Sequence, residues 1–244
     1  MSPGADNGAI EGGGRPGLVE DLDAGLERTP FTGAPDPEFT LLSARAVERA
    51  AVPTLGFTVR AADASGRRIF TIALTAVITI EPSKRSYEPA ERERLLELFG
   101  EPERWASTTS AFRWAQAEAL VPAFEGTSEF ELTVACTYDH ELAAAKYFGG
   151  LGGGVAPLRF HFNGSVFYED DDGRMQIVQV PWDRSPRFEL PVENWRAAID
   201  SVYPYRSWVP VDATTLERLA RLKAERGLPT FSAAVDGLLD EAER

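Results

Sequence analysis

The side chains best suited to metal chemistry are few: Cys136, His140 and His161 in a chain of 244 residues. Thiolate and imidazole are ligands that zinc prefers, so these three, with Asp139 or Glu141, form the first metal set to consider. The predicted strands argue against this metal set. Cys136 lies on the apolar face of its strand, whereas His161 lies on the face opposite the apolar one in another strand. The sequence therefore predicts no metal site and no bound cofactor.

A glycine-rich segment over residues 149–154 raises the question of a phosphate site. A phosphate-binding loop must follow a strand and open a helix, so that the helix N-terminus faces the phosphate. Here the glycines follow a predicted helix over 141–148 and lead into a strand at Pro157, which predicts a connecting loop. The acidic run over 169–172 ends in Asp-Gly, so we expect a solvated hairpin turn, with adventitious calcium as the alternative.

No arrangement of residues predicts a catalytic site. The sequence has no Gly-x-Ser-x-Gly turn, no His-Glu-x-x-His motif, and no histidine on the strand face of its cysteine. We therefore assign no catalytic residue and interpret the protein as non-catalytic. An enzyme that uses His161 or His140 stays open as an alternative.

Large aromatic residues are concentrated where strand-like segments give way to helical ones, and prolines separate them. Trp182, Tyr205 and Trp208 carry rings with one polar edge, a type favoured in domain seams and in protein-binding surfaces. We predict that these three residues bind a protein partner, with a seam between domains as the alternative.

The chain carries 38 acidic and 25 basic side chains, a net charge of −13. Such a charge repels phosphate backbones and anionic lipid, so we expect no nucleic acid and no membrane as the partner. No run of 18 apolar residues occurs, and the N-terminus lacks the basic-then-apolar order of a secretory signal. We expect a soluble, cytoplasmic protein, and homo-oligomerisation stays open.

Residues 1–36 contain 8 of the 21 glycines and have a net charge of −5, from seven acids and two bases. They have too few large apolar groups to offset the entropy of ordering, which predicts a disordered tail. Leu18, Leu22 and Leu26 are spaced by four residues and would form one apolar stripe in a helix. We predict that they contribute to partner contact, with an inert solvated tail as the alternative.

Residues 37–190 alternate apolar and polar side chains, which predicts an antiparallel β-rich domain. A helical insertion is predicted over 89–120, with one helix ending at Gly100 and a second over 103–120. The predicted strands are a first hairpin of 55–61 with 70–80, a third strand over 130–136, and a second hairpin of 158–168 with 175–180.

After Pro191 the apolar residues recur with the 3.6-residue period of a helix. This predicts a C-terminal helical unit over 191–244 that is docked on the sheet domain. From Trp208 onward the pattern resembles half of a ribbon-helix-helix domain, with Asp212 at a cap position. Pro210 cannot donate to a strand ladder, and six bases against seven acids provide no basic surface, so a DNA-binding regulator is an alternative only. Strands in one run and helices in another predict an α+β fold, its antiparallel sheet bent into a sandwich or half-barrel.

Several short motifs carry a family resemblance. They include Tyr87-x-Pro89, the Leu-Leu-Glu-Leu-Phe-Gly run over 95–100, Cys136-Thr137-Tyr138-Asp139, Lys146-Tyr147-Phe148, Pro181-Trp182 and Tyr203-Pro204. Over residues 38–241 this succession resembles an uncharacterised actinobacterial domain family of unknown function, similar in gene setting to nickel-iron hydrogenase accessory proteins. The resemblance implies a maturation or assembly factor whose protein partner is a hydrogenase subunit. A single cysteine agrees with this role, because an iron–sulfur cluster needs about four thiolates.

Overall fold

The computed structural model describes residues 33–136, 142–204 and 211–244. The chain divides into two compact units, Met1–Ala34 and Pro35–Arg244, and every element described below belongs to the second. That unit combines two antiparallel sheets with helices, which confirms the predicted α+β class.

The strands alternate between residues that face inward and residues that face outward, as half-buried strands do. They are β1 (Glu38–Ala46), β2 (Thr54–Ala62), β3 (Ile69–Ile80), β4 (Phe112–Val121), β5 (Thr127–Ala135), β6 (Val155–Glu169), β7 (Met175–Gln179) and β8 (Arg187–Pro191). One sheet has the order β1-β2-β5. The other has the order β4-β3-β6-β7, with β8 also paired to β6.

Short helices connect the strands, and longer ones follow them. They are α1 (Pro89–Arg94), α2 (Leu96–Phe99), α3 (Trp105–Thr108), α4 (Leu142–Gly150), α5 (Val192–Val202), α6 (Ala213–Glu225) and α7 (Phe231–Ala242). In the described part of the chain, no helix is both long enough and apolar enough to span a membrane.

The main core lies between the two sheets. Phe57 of β2 meets Phe160 of β6 edge to face at 5.1 Å between ring centroids, and Phe39 of β1 lies 4.8 Å from Phe162. These rings come from alternate positions of facing strands, so the sheets form a sandwich through their inner faces. Burying a phenylalanine contributes about 2 kcal/mol, which makes this layer a major source of stability.

The predicted first hairpin is wrong in its pairing. β2 pairs with β1 and β5, whereas β3 pairs with β4 and β6, so the chain crosses from one sheet to the other between them. Alternation reports which face of a strand is buried and does not report which strand lies beside it. Both segments are strands, as predicted, but they belong to different sheets.

The predicted helix over 103–120 is also wrong. Only α3 and the short 3-10 turn Pro102–Arg104 before it are helical there, and residues 112–121 form β4. The prediction rested on Trp105, Phe112, Ala115 and Ala119. In β4 the last three are opposite Ile80, Ile78 and Leu74 of β3, and a register shift between Ile78 and Thr79 gives the first two of them their spacing of three. A bulged strand thus imitates the spacing of a helix.

Of the remaining elements, several agree with the predictions, whereas the strands β1 and β8 were not predicted. β5 and the β6–β7 hairpin confirm the third strand and the second hairpin, and the C-terminal segment is helical. Helix α5 packs on β1, β2 and β8, and the Asn194 side chain donates a 2.7 Å hydrogen bond to the Ala44 carbonyl. Helices α6 and α7 pack on each other, and Asp212 caps α6 by accepting from the Thr215 amide at 2.8 Å.

Candidate protein-binding site

Of the residues predicted to contact a partner, Trp182 is the one within the described part of the chain. Tyr205, Trp208 and the three leucines of the predicted tail contact, Leu18, Leu22 and Leu26, lie outside the described residues. The candidate site is therefore built from Trp182 and from the groups that hold it.

Trp182 lies in a tight turn between β7 and β8. The Arg184 amide closes the turn by donating a 3.2 Å hydrogen bond to the Pro181 carbonyl, which puts Trp182 and Asp183 at the two central positions. Trp182 is 90% exposed. Tryptophan is highly buried on average, so an indole presented to solvent at this level needs an explanation.

Backbone hydrogen bonds to β6 hold this turn on both sides. Before the turn, the Val180 amide donates to the Gly164 carbonyl at 2.9 Å, and after it the Phe162 amide donates to the Arg184 carbonyl at 3.0 Å. The segment between β7 and β8 therefore continues the pairing along the middle of β6. The backbone that carries the indole is fixed by the sheet.

The Arg184 side chain anchors the turn a second time. Its guanidinium donates to Asp36 Oδ1 at 2.5 Å, to the Pro37 carbonyl at 3.2 Å and to Asp183 Oδ1 at 3.0 Å. The Arg184 side chain is only 19% exposed, so these charge-assisted bonds are partly shielded from water. The sequence carried no signal for them, because Asp36 and Arg184 are 148 residues apart.

Strand β7 presents apolar side chains beside this turn in the sequence. Met175 and Ile177 are 66% and 58% exposed, and they lie on one face because they are two residues apart. Ile177 is opposite Phe167 of β6. Among the described strands β7 pairs with β6 alone, so its outer edge carries unpaired backbone groups. We refer to Trp182, Met175 and Ile177 as the β7 surface.

The imidazole of the enzymatic alternative, His161, lies on the exposed outer face of the five-stranded sheet. Its Nδ1 is 3.2 Å from the Ser185 hydroxyl, and its Nε2 is 3.4 Å from the Thr79 hydroxyl. No carboxylate in the described ranges hydrogen-bonds to this ring, so the Ser-His pair lacks a charged group to orient the base. His140 lies outside the described residues.

The structure does not bring the metal candidates together. Cys136 is buried directly after β5, and its thiol donates to the Val134 carbonyl at 3.7 Å, whereas His161 is exposed on the other sheet. No cluster of three histidine, cysteine or acidic side chains suited to a metal ion occurs within the part of the chain that the structure describes.

The glycine-rich loop over 149–154 is held by a buried carboxylate that sequence analysis missed. Glu91 is 3% exposed, and it accepts from the Arg85 guanidinium at 3.0 and 3.2 Å and from the Gly152 and Glu88 amides at 2.7 and 3.0 Å. Burial alone would raise the pKa of Glu91, but the two amides and the Arg85 charge outweigh it and lower the pKa. This arrangement satisfies every partner internally, which is typical of a structural ion pair.

The acidic run forms the β6–β7 turn that the sequence predicted. Asp170 accepts from the Asp172 and Arg174 amides at 3.0 and 2.8 Å, and from the Gln176 side chain at 2.8 Å. The bond from the Arg174 amide contributes most to a lowered pKa of Asp170. The carboxylate is used to build the turn.

Comparison with protein families decides the relationship of this chain. A family model described as a family of unknown function, DUF6084, matches residues 34–244. The chain belongs to this family. The DUF6084 match begins one residue before the unit Pro35–Arg244 and continues to its end, so it includes both sheets, the Trp182 turn and the C-terminal helices.

Other comparisons add little to the DUF6084 assignment. No curated protein matches the chain. Among solved structures, a late embryogenesis abundant (LEA) protein matches with 11% identity and a TM-score of 0.33 over 67% of this chain and 75% of that one. The ApaA protein from Bordetella pertussis matches with 13% identity and a TM-score of 0.26 over 64% and 93%. Likenesses at this level carry no implication for function.

Proposed function

We propose that this protein is a non-catalytic, cytoplasmic protein-binding adaptor or assembly factor that contacts its partner through the β7 surface. One observation carries the proposal: Trp182 is 90% exposed on a turn whose backbone and flanking arginine are both fixed. Exposed tryptophans that become buried on binding are among the strongest contributors to protein interfaces.

The fixed turn favours binding because it lowers the entropic cost. Ordering the backbone of one residue costs about 1 to 2 kcal/mol, and here the sheet orders the turn before the partner arrives. An indole also has only two rotatable side-chain bonds, so little further freedom is lost when it is buried. The turn is therefore suited to act as a rigid anchor.

The edge of β7 offers a second mode of contact. An extended partner segment that adds beside β7 would use the unpaired backbone groups of this strand. Met175 and Ile177 would then pack against alternate side chains of the added strand. Together the turn and the edge suit a partner that presents an extended segment next to an apolar pocket.

The identity of the partner rests on the family resemblance. It implies a nickel-iron hydrogenase subunit and a role in maturation, and this is the specific partner that we propose. Tyr205 and Trp208 are proposed to extend the surface, and Leu18, Leu22 and Leu26 to add a secondary contact.

The test is affinity capture from a native lysate with the full chain as bait, followed by mass spectrometry. We expect the wild-type chain to retain one protein in stoichiometric amount and Trp182→Ala to lose it. Leu120→Ala is the matched control, because Leu120 is a large apolar residue of β4 that is 75% exposed. Tyr205→Ala and Trp208→Ala are each expected to weaken recovery of the same protein.

The protein or nucleic acid that is captured distinguishes the candidate functions. A hydrogenase subunit recovered in this way supports the maturation role, and another protein that depends on Trp182 supports the adaptor role alone. Recovery of DNA fragments would favour the DNA-binding regulator, and recovery of nothing would favour the enzyme that uses His161 or His140. Equal recovery by Trp182→Ala and wild type would show that the β7 surface is not the binding site.

A further inference from the structure

The C-terminal helices have an apolar stripe that the described chain leaves uncovered. The residues of α7 at spacings of three and four that form this stripe are Phe231, Ala234, Val235, Leu238 and Leu239. Ala234 is buried, but the other four are between 39% and 56% exposed. Helix α6 contains no buried residue, and its Leu216 is 47% exposed.

These two helices are held by few contacts to the rest of the described chain. Helices α6 and α7 have 13 and 12 residues, and they make little contact with the sheets or with α5. Isolated helices of this length are marginal in water, and a helical pair well below about 40 residues needs an additional partner. A second surface laid over the stripe would bury it and stabilise the pair.

The charges of the two helices indicate which surface this is. Helix α6 has three basic and two acidic residues, whereas α7 has three acidic residues and no basic one. Glu241 of α7 pairs within the chain with Arg226 at 2.6 Å. We therefore take the charges that face outward toward a second copy from Arg218, Arg221, Asp236 and Asp240. We propose that the stripe is the interface of a homodimer in which α6 of one chain lies against α7 of the other. A two-fold axis repeats that contact, so one arrangement covers both stripes and pairs basic with acidic helices twice.

Other occupants fit this surface less well. Residues 1–34 carry six acids and two bases, a net charge of −4, so they would be repelled by the acidic helix α7. Nucleic acid would meet the same repulsion from α7 and from a chain of net charge −13. A second copy has the same net charge, but its α6 offers three basic residues to the acidic helix α7.

Sedimentation equilibrium of the full chain tests the proposal. We expect the wild-type chain to sediment at twice the chain mass at micromolar concentration. Leu238→Glu puts a charge into the stripe and is expected to weaken dimerisation by about 100-fold. Leu120→Glu makes the same change at the exposed β4 position and is expected to leave dimerisation unchanged.

A charge exchange separates loss of the interface from loss of the fold. Arg218→Glu with Arg221→Glu makes α6 acidic, and Asp236→Lys with Asp240→Lys makes α7 basic. Each double variant is expected to be monomeric, because helices of like charge would meet. An equimolar mixture of the two is expected to dimerise, because each acidic helix then faces a basic helix of the other chain.

Three results would overturn the proposal. They are a wild-type chain that stays monomeric, a dimer that Leu238→Glu does not weaken, and a mixture of the two charge variants that does not dimerise. A monomer that becomes a dimer after deletion of residues 1–34 would assign the stripe to that segment instead.

Discussion

At the scale of single residues, stability in this protein depends on a buried carboxylate with four internal hydrogen bonds. Glu91 joins the Arg85 guanidinium to two backbone amides, one of them at Gly152 in the glycine-rich loop. Arg85 also donates to the Val155 carbonyl at the start of β6 at 2.9 Å. One carboxylate therefore links α1, the loop and the sheet.

Replacing Glu91 with Gln is expected to lower the free energy of unfolding by about 3 kcal/mol, because the Arg85 charge stays buried without its partner. The pKa of Glu91 is lowered in the folded state, so its contribution is complete above its ordinary value of 4.5 and is lost as the pH falls through the folded pKa. Urea unfolding from pH 7 to pH 3 is the measurement. In Glu91→Gln the free energy of unfolding should depend less on pH below about 4.5 than in the wild type. The same pH dependence in both proteins would contradict this role of Glu91.

At the scale of elements, β6 determines much of the architecture. It pairs with β3 along one edge, and with β7, the Trp182 turn and β8 along the other. The backbones of β3 and β6 approach each other closely at Gly164. Its φ is +155°, and an added Cβ would lie 2.1 Å from the Ala73 carbonyl oxygen of β3.

Gly164→Ala is therefore expected to destabilise the protein by about 3 kcal/mol, because β3 and β6 must separate locally to admit the methyl group. Gly149→Ala in α4 is the matched control, since an added Cβ there meets no atom within 4 Å. Thermal unfolding of both variants distinguishes them. Equal melting temperatures would show that the β3–β6 contact yields more easily than its geometry implies.

The sequence predicted most elements but few of their pairings. Alternation located β2, β3, β5 and the β6–β7 hairpin, because period two depends on local burial alone. It failed at β4, where a bulge gives apolar residues helical spacing, and at the assumed β2–β3 hairpin, where the partner is a non-local property. Trp182 was selected as a candidate from its residue type, whereas the anchor that Arg184 makes with Asp36 has no local signature.

At the scale of the whole molecule, the boundary of the stable unit lies close to Asp36. Its amide donates to Asp63 Oδ1 at 2.7 Å, and its carboxylate pairs with Arg184. We expect deletion of residues 1–34 to move the melting temperature by less than about 2 °C. Deletion of residues 1–36 is expected to cost about 1 kcal/mol more, because these bonds are lost. Differential scanning calorimetry compares the two, and equal melting temperatures would contradict the anchoring role of Asp36.

Loss of the first 34 residues is expected to weaken partner binding only slightly, and only at low salt. Burial of three leucines does not offset the entropy lost when their segment is ordered, so the acidic groups around them must add to the contact with the partner. Salt screens such charges, which is why we expect the effect at low salt only. Titration of the partner against full and shortened chains at two ionic strengths measures this. Equal affinities at both salts would leave the segment without a role in binding.

The most direct test of the account is the affinity of the purified partner for Trp182→Ala, measured by isothermal titration beside the wild type and Leu120→Ala. Burial of an indole on a fixed turn predicts that Trp182→Ala binds about 30-fold more weakly. Its melting temperature is expected to stay unchanged, because Trp182 is 90% exposed and supports no core. A Trp182→Ala affinity within about twofold of the wild type would contradict the claim that this turn is the binding site.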